Sequence, residues 1–427
     1  MKITISNGRL IDPANNVDKK GTLCIADGMI AAAASRPPSD FTPDLVIDAG
    51  GHWVCPGIID LGARFREPGQ EHKATIASEA AAAAAGGITA ICTPPDTDPV
   101  LDTPAVVELI HQRMDKCRQI RIYPIAALTQ GLQGEFLAEI HALKAAGCIA
   151  VSNANRPIAS TEVWRRAMEY SASAGMTVFI HPEDPFLRNS GVVHEGALST
   201  RLGLPPIPDS AETVAVSQAL LLIEQTGVRA HFCRLSAARS VDLIARAKSD
   251  GLPVTADVGV CNLFLTELDV DGYNTDCHLI PPLRRLADKQ ALTKGLTDGV
   301  IDAVCSDHQP HDDDAKAAPF SLTEPGASTV ELLLPLMLDL AHKKILSPMQ
   351  IMQCLAAGPA RILGLGTGSL GQGAPADIVI IDPDKSWTVN RAQLKSTGKN
   401  TPFDGWEVQG AVTHTLLGGN LVFTSEN

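Results

Sequence analysis

From Pro56 onward, short apolar runs alternate with longer stretches in which apolar residues recur at helical spacing. The runs are PGIIDL, GITAICT, RIYPIAAL, GCIAVS, MTVFIH, VRAHFC, LPVTADV and GVIDAVC, and they predict eight buried strands. Between them, Ala74 to Ala85, Pro104 to Cys117, Ser160 to Ala174, Ala211 to Gln225 and Ala238 to Ser249 are patterned as helices. Eight such units predict an α/β fold of the (β/α)8 TIM-barrel type, which needs about 250 residues. Before Pro56 the chain reads as strands and turns, in KITISNGRLID, GTLCIADGMI and DLVIDAGGHWV. After a helical pair ending near GPARILGL, strand texture returns in GAPADIVIIDP and GAVTHTLLGGNLVF. The expected organisation is a barrel over residues 55–364 beside one small β-sandwich built from both chain ends, 1–54 and 365–427. The run EAAAAAAGG reads as a helix closed by glycine.

Barrel enzymes carry their chemistry at the C-terminal ends of the strands. That rule selects Gly62, Arg64 and Arg66 after the first run, Asp96 after the second, Asn153 after the fourth and His181 after the fifth. Arg234 follows the sixth run and Asp307 the eighth. Cys233, Cys261 and Cys305 lie near strand ends, where a thiolate beside a histidine would make a nucleophile; as buried cysteines they are more simply small apolar residues.

Charge and cysteine usage narrow the classes. A formal charge of −13 without a basic cluster excludes nucleic acid and anionic membrane as expected partners. The ten cysteines form no C-x-x-C pair, which in a chain this long reads as reduced thiols. The opening MKITISNGRLIDP alternates like a strand and has no signal-peptide pattern, so a cytoplasmic location is expected.

The stretches PGIIDLGARFREPGQEHKATI, FIHPEDP, HFCRLSAARSVDLI, IDAVCSDHQPHDDDAK and GSLGQGAPADIVIIDP carry a resemblance over essentially the whole chain. It is to the dihydroorotases of the cyclic amidohydrolase superfamily, and REPGQEHK with SDHQPH is its most specific part. The resemblance implies a metal centre held by a His-X-His pair on the first strand, a carboxylate or modified lysine on the fourth, histidines on the fifth and sixth, and an aspartate on the eighth. At those positions this chain has Gly62 and Arg64, Asn153, His181, Arg234 and Asp307. Only His181 and Asp307 match. A guanidinium offers no lone pair. About 4 Å from a divalent cation at an effective dielectric near 20, each arginine would oppose binding by roughly 8 kcal/mol. No catalytic zinc and no other cofactor is therefore expected.

The family's substrate contacts are altered in the same way. Arg66 and His311 match the arginine and histidine that face the substrate carboxylate, whereas Asp96 and Ile280 stand where two asparagines are implied. Asp307 could retain a general-base role, but without an activated water it is expected to be structural, with Arg64 and Arg234 replacing the metal charge through bidentate pairs. His181 is expected to be a hydrogen-bonded core histidine. HDDDAK begins a loop, Asp312 to about Thr329, of the kind that closes over this family's site.

Three functional readings follow. In some bacteria, pseudomonads among them, a dihydroorotase-like protein lacking the metal histidines assembles with aspartate carbamoyltransferase and supports its activity in pyrimidine (UMP) synthesis. This chain resembles that group, including its GAR in place of the histidine pair. The resemblance implies a non-catalytic subunit whose partners are the transferase's catalytic chains, in a homo-oligomer or hetero-oligomer. The alternative is a residual or altered cyclic amidohydrolase, opening (S)-dihydroorotate to N-carbamoyl-L-aspartate. A small-molecule binding role through Arg66 and His311 is a third reading.

Overall fold

A computed structural model describes residues 1–425. The eight apolar runs become eight parallel strands: Ile58–Asp60, Ile88–Thr93, Arg121–Ala127, Ala150–Ser152, Thr177–Ile180, Ala230–Phe232, Val254–Gly259 and Ala303–Cys305. They pair in chain order. The last strand is joined to the first by side-chain chemistry as much as by a ladder. The Asp60 carboxylate accepts from the Ser306 backbone N–H at 3.0 Å and from the Ser306 hydroxyl, and the Arg64 N–H donates to the His308 carbonyl at 2.8 Å. Asp60 is fully buried, and these donors stand in for the water it loses.

The helices match the periodicity closely. Pro104–Cys117 and Ala238–Ser249 coincide with their predicted spans. The alanine-rich helix starts at Ile76 rather than Ala74, because Thr75 is its N-cap: the Thr75 hydroxyl accepts from the Ser78 N–H at 3.1 Å and Ser78 Oγ accepts from the Thr75 N–H at 3.0 Å. Alanine suits this helix because it lies between the barrel and the β domain. Ala80, Ala82, Ala83 and Ala84 are all buried, and the Ala84 carbonyl accepts from Thr415 Oγ1 at 2.7 Å. Just beyond, Gly87 has φ +80°, and a Cβ there would lie 2.6 Å from Val379 Cγ2. Glycine is required by that contact as well as by the turn.

Both chain ends meet in one eight-stranded mixed sheet. Lys2–Asp12 pairs with Val17–Ala26, Leu45–Asp48 and Trp53–Pro56, and Trp53–Pro56 pairs antiparallel with Ile378–Thr388 from the C-terminal segment. Ile3, Ile5, Leu23, Ile25, Val54, Ile378 and Ile380 share a core separate from that of the barrel. No helix among the described residues is long and apolar enough to cross a membrane.

Candidate functional site

The turns after the strands hold the side chains that sequence reasoning selected. Arg66, Arg234 and Asp307 have φ of +63°, +55° and +48°, a left-handed conformation uncommon for residues with side chains and concentrated at functional sites. The turn at Arg234 is fixed by its own N–H, which donates to Asp257 Oδ1 at 2.5 Å. Asp257 in turn accepts from His231 Nε2 at 2.9 Å, inside the barrel.

Arg234, Asp307, Arg64 and Asp96 form a chain of charge across the mouth of the barrel. Arg234 Nη1 donates to Asp307 Oδ1 at 2.9 Å and its Nη2 to Asn155 Oδ1 at 2.5 Å. Arg64 Nε donates to Asp96 Oδ2 at 2.8 Å, while its Nη1 stays 3.8 Å from Asp307 Oδ1. The expected bidentate pairs on Asp307 are thus not formed. Arg64 reaches Asp96 because that carboxylate, on the neighbouring second-strand loop, lies nearer its Nε, and Arg234 divides its fork between Asp307 and Asn155. Burial works against the ionised Asp96, yet the Arg64 charge and hydrogen bond hold its pKa below the ordinary carboxylate range.

The other positions that the resemblance singles out differ in what they do. Asn153 accepts from Thr129 Oγ1 at 2.7 Å and donates to the carbonyls of Arg156 at 3.0 Å and Leu132 at 3.3 Å, so its amide ties down its own loop. Ile280 is buried and presents only its carbonyl, 3.4 Å from Arg234 Nη1. Gly62 leaves space: a Cβ there would meet nothing closer than Cys305 Sγ at 3.9 Å.

His181 departs from expectation. Its side chain is 4% exposed, yet neither ring nitrogen finds a hydrogen-bond partner in the protein, and Glu183 Oε2 lies 3.9 Å from Nε2. Burial, then the charges of Arg234 and Arg64, push its pKa well below the usual histidine value, so the ring is neutral at physiological pH.

Arg66 and His311 come together as matched residues, but on each other. Arg66 Nη2 lies 2.9 Å from His311 Nε2 and its Nε donates to the Pro310 carbonyl at 2.9 Å. Burial and the Arg66 charge push the His311 pKa down to about 2, so the ring is neutral, with Nε2 between the Arg66 guanidinium and the Pro325 carbonyl, 3.1 Å away. Burial and Arg64 lower Arg66 itself to about 10. The loop over this pair is fastened: Lys73 Nζ donates to Glu324 at 2.6 and 2.7 Å, Lys316 Nζ donates to the Glu324 carbonyl at 2.7 Å, and Asn400 accepts from the His311 N–H at 2.8 Å. Glu67 of REPG is a helix anchor rather than a substrate group, accepting from the Ile76 N–H at 2.7 Å.

The donor set does not fit the family's metal centre. Two guanidinium groups stand at ligand positions, and the amide at a third is spent on its own loop. Among the described residues the one His/Cys/carboxylate trio close enough to share an ion is His231, Cys233 and Asp257, which includes neither His181 nor Asp307. There the imidazole bonds Thr255 Oγ1 and Asp257 through its two nitrogens, and burial raises the Cys233 thiol well above its ordinary pKa. The same burial raises Cys261 and Cys305, so none of the three is a ready nucleophile.

Asn155, Asn400, Lys73 and the pair Glu79–His308 were not selected from sequence. His308 Nδ1 accepts from the Thr329 N–H at 3.0 Å, which leaves Nε2 to donate to Glu79 Oε2 at 2.7 Å, both side chains being fully buried. Only the SDHQPH spacing pointed near this histidine. Burial opposes ionisation of Glu79, but His308 and the N–H of Thr397 hold its pKa below its ordinary 4.5. A carboxyl lowered on folding contributes stability that is present above the unfolded value and lost as pH falls through the folded one. Glu79→Gln is therefore expected to melt below the parent at pH 7, with the gap closing as pH drops below about 4.5; thermal melts at stepped pH check this.

These features define the amidohydrolase class: a parallel eight-stranded barrel with a mixed β domain made by both chain ends and a polar cluster at the strand C-termini. An L-hydantoinase from Arthrobacter aurescens superposes with a TM-score of 0.90 over 100% of this chain and 96% of its own, at 24% identity, a likeness of fold. The family model described as Dihydro-orotase-like matches residues 51–240. The chain is 46% identical over 421 residues to a dihydroorotase-like protein of Pseudomonas putida, covering 99% of both. It is 44% identical over 422 residues to a dihydroorotase of Anaeromyxobacter dehalogenans (strain 2CP-C), covering 98% and 97%. The chain belongs to the dihydroorotase-like family.

Proposed function

We propose that this chain is a non-catalytic member of its family, a structural subunit required for assembly and activity of aspartate carbamoyltransferase in pyrimidine (UMP) synthesis, and that it works without catalytic zinc. The observation that carries the non-catalytic half is the ion-pair chain: Arg234 bonds Asp307 and Arg64 bonds Asp96 where an amidohydrolase needs open N and O donors. Opening an amide ring requires an activated nucleophile and a charge to hold the oxyanion. Asp307, the remaining base, is held by Arg234 and Gln309, and Arg66 is turned onto His311. The partner rests on the sequence resemblance, and the full-length likeness to a protein called dihydroorotase-like in Pseudomonas putida supports it.

Co-expression with the same organism's aspartate carbamoyltransferase tests the partner. Light scattering across a sizing column is expected to give one mixed particle, with transferase activity that falls when this chain is omitted. Two separate peaks and an indifferent transferase would refute the reading.

The enzymatic alternative has one observation in its favour, the full-length 44% identity to a protein called dihydroorotase. Stoichiometric zinc in the purified chain, with hydrolysis of (S)-dihydroorotate, would establish it.

A further inference from the structure

At the mouth of the barrel, where family members gather metal ligands, a cavity of about 40 Å³ is lined by Gly62, Arg64, His181, Cys233, Arg234 and Asp307. Its remaining wall includes Leu61, Ile125 and Phe179, so a charge inside it is poorly screened by water. His181 lies between this cavity and a second one of about 110 Å³, which runs out past Pro157 and Phe186 toward the surface.

Two groups facing this space have unspent hydrogen-bonding capacity. His181, with a side chain 96% buried by its 4% exposure, has no protein partner for either ring nitrogen. Arg64 spends only its Nε, on Asp96; among the described residues neither terminal nitrogen is hydrogen bonded, the nearer carboxylate being 3.8 Å away. A buried polar group without a partner, as the His181 ring is, usually meets a ligand or water in folded proteins. The carboxylates around the cavity are already matched: Asp307 by Arg234 and Gln309, Asp257 by His231 and the Arg234 N–H.

We propose that this cavity is a binding site for a small, planar, singly charged oxyanion of carboxylate or bicarbonate size, held by the terminal nitrogens of Arg64 and by a ring N–H of His181. A guanidinium fork fits two coplanar oxygens, and neutral histidine supplies one further donor. The small volume suits a ligand of a few heavy atoms, and the nearby Asp307 and Asp257 disfavour a doubly charged one. The arginine at the first-strand position thus offers hydrogen-bond donors where a metal would need lone pairs. The proposal does not depend on the partner reading.

The probe is sodium [13C]formate, followed by its 13C linewidth on titration with the full-length protein at constant ionic strength. Saturable broadening is expected, at least ten-fold weaker in Arg64→Met and in His181→Phe, competed by bicarbonate and little affected by sulfate. Circular dichroism checks that each variant folds; if one does not, the other decides, and His181→Gln serves as a third. A linewidth indifferent to the parent protein, broadening unchanged in the folded variants, or equal competition by sulfate would overturn the proposal.

Discussion

Arg234→Met is expected to destabilise the protein by about 3–5 kcal/mol, the range for removing one partner from a buried ion pair. The substitution keeps most of the aliphatic stem and deletes the charge. It strands Asp307, whose side chain is only 14% exposed and whose other contacts are Gln309 Nε2 at 3.0 Å and Arg64 at 3.8 Å. It also removes the donor to Asn155, loosening the fourth-strand loop. Arg64→Met should cost less, because Asp96 is 27% exposed and can recover water. Combining Arg234→Met with Asp307→Leu should cost less than the sum of the two changes, since the double variant leaves no unpaired charge. Urea melts of the four proteins in this cycle measure the coupling; a strictly additive cycle would show that Arg234 and Asp307 do not stabilise each other.

The triple variant Gly62→His, Arg64→His, Arg234→His is expected to bind about one zinc per chain where the parent binds none at stoichiometric level. Positions 62 and 64 are spaced so that both side chains face one side of the strand end, and the Gly62 site has room for a side chain. Removing two guanidinium charges lifts an opposition of roughly 8 kcal/mol each and frees Asp307 and the neutral His181 as ligands. A second metal is not expected, because Asn153 remains tied to Thr129, Leu132 and Arg156. Zinc content after dialysis reads the outcome directly. Parent protein carrying zinc at the same level would refute both this prediction and the non-catalytic reading.

Most of the barrel was legible in the sequence because its signals are local. Apolar runs such as GITAICT and helices such as Pro104–Cys117 announce themselves by period, and a strand's end fixes which residue turns toward the mouth. That was sufficient to select Arg64, His181, Arg234 and Asp307, which line one cavity, whereas Asn153 turns to its own loop. Partner choice among them was not legible. Whether Arg64 meets Asp96 or Asp307 turns on about an ångström, since one contact is 2.8 Å and the other 3.8 Å. Asn400 fastens the loop after the eighth strand from 89 residues away, and Thr397 reaches Glu79 across 318. No local pattern encodes contacts of that range.

The sequence by itself determined the alternation of strand and helix, the residues at the barrel mouth, and the exchange of metal-ligating types for guanidinium and amide. The first two follow from side-chain chemistry and backbone period, which are properties of short segments; the third is what the resemblance to the dihydroorotases implies. Only the tertiary structure decided that Arg66 and His311 face each other, that His181 is buried without a partner, and that the arginines distribute themselves over two aspartates. These depend on packing between segments distant in the chain, where small shifts decide which donor reaches which acceptor.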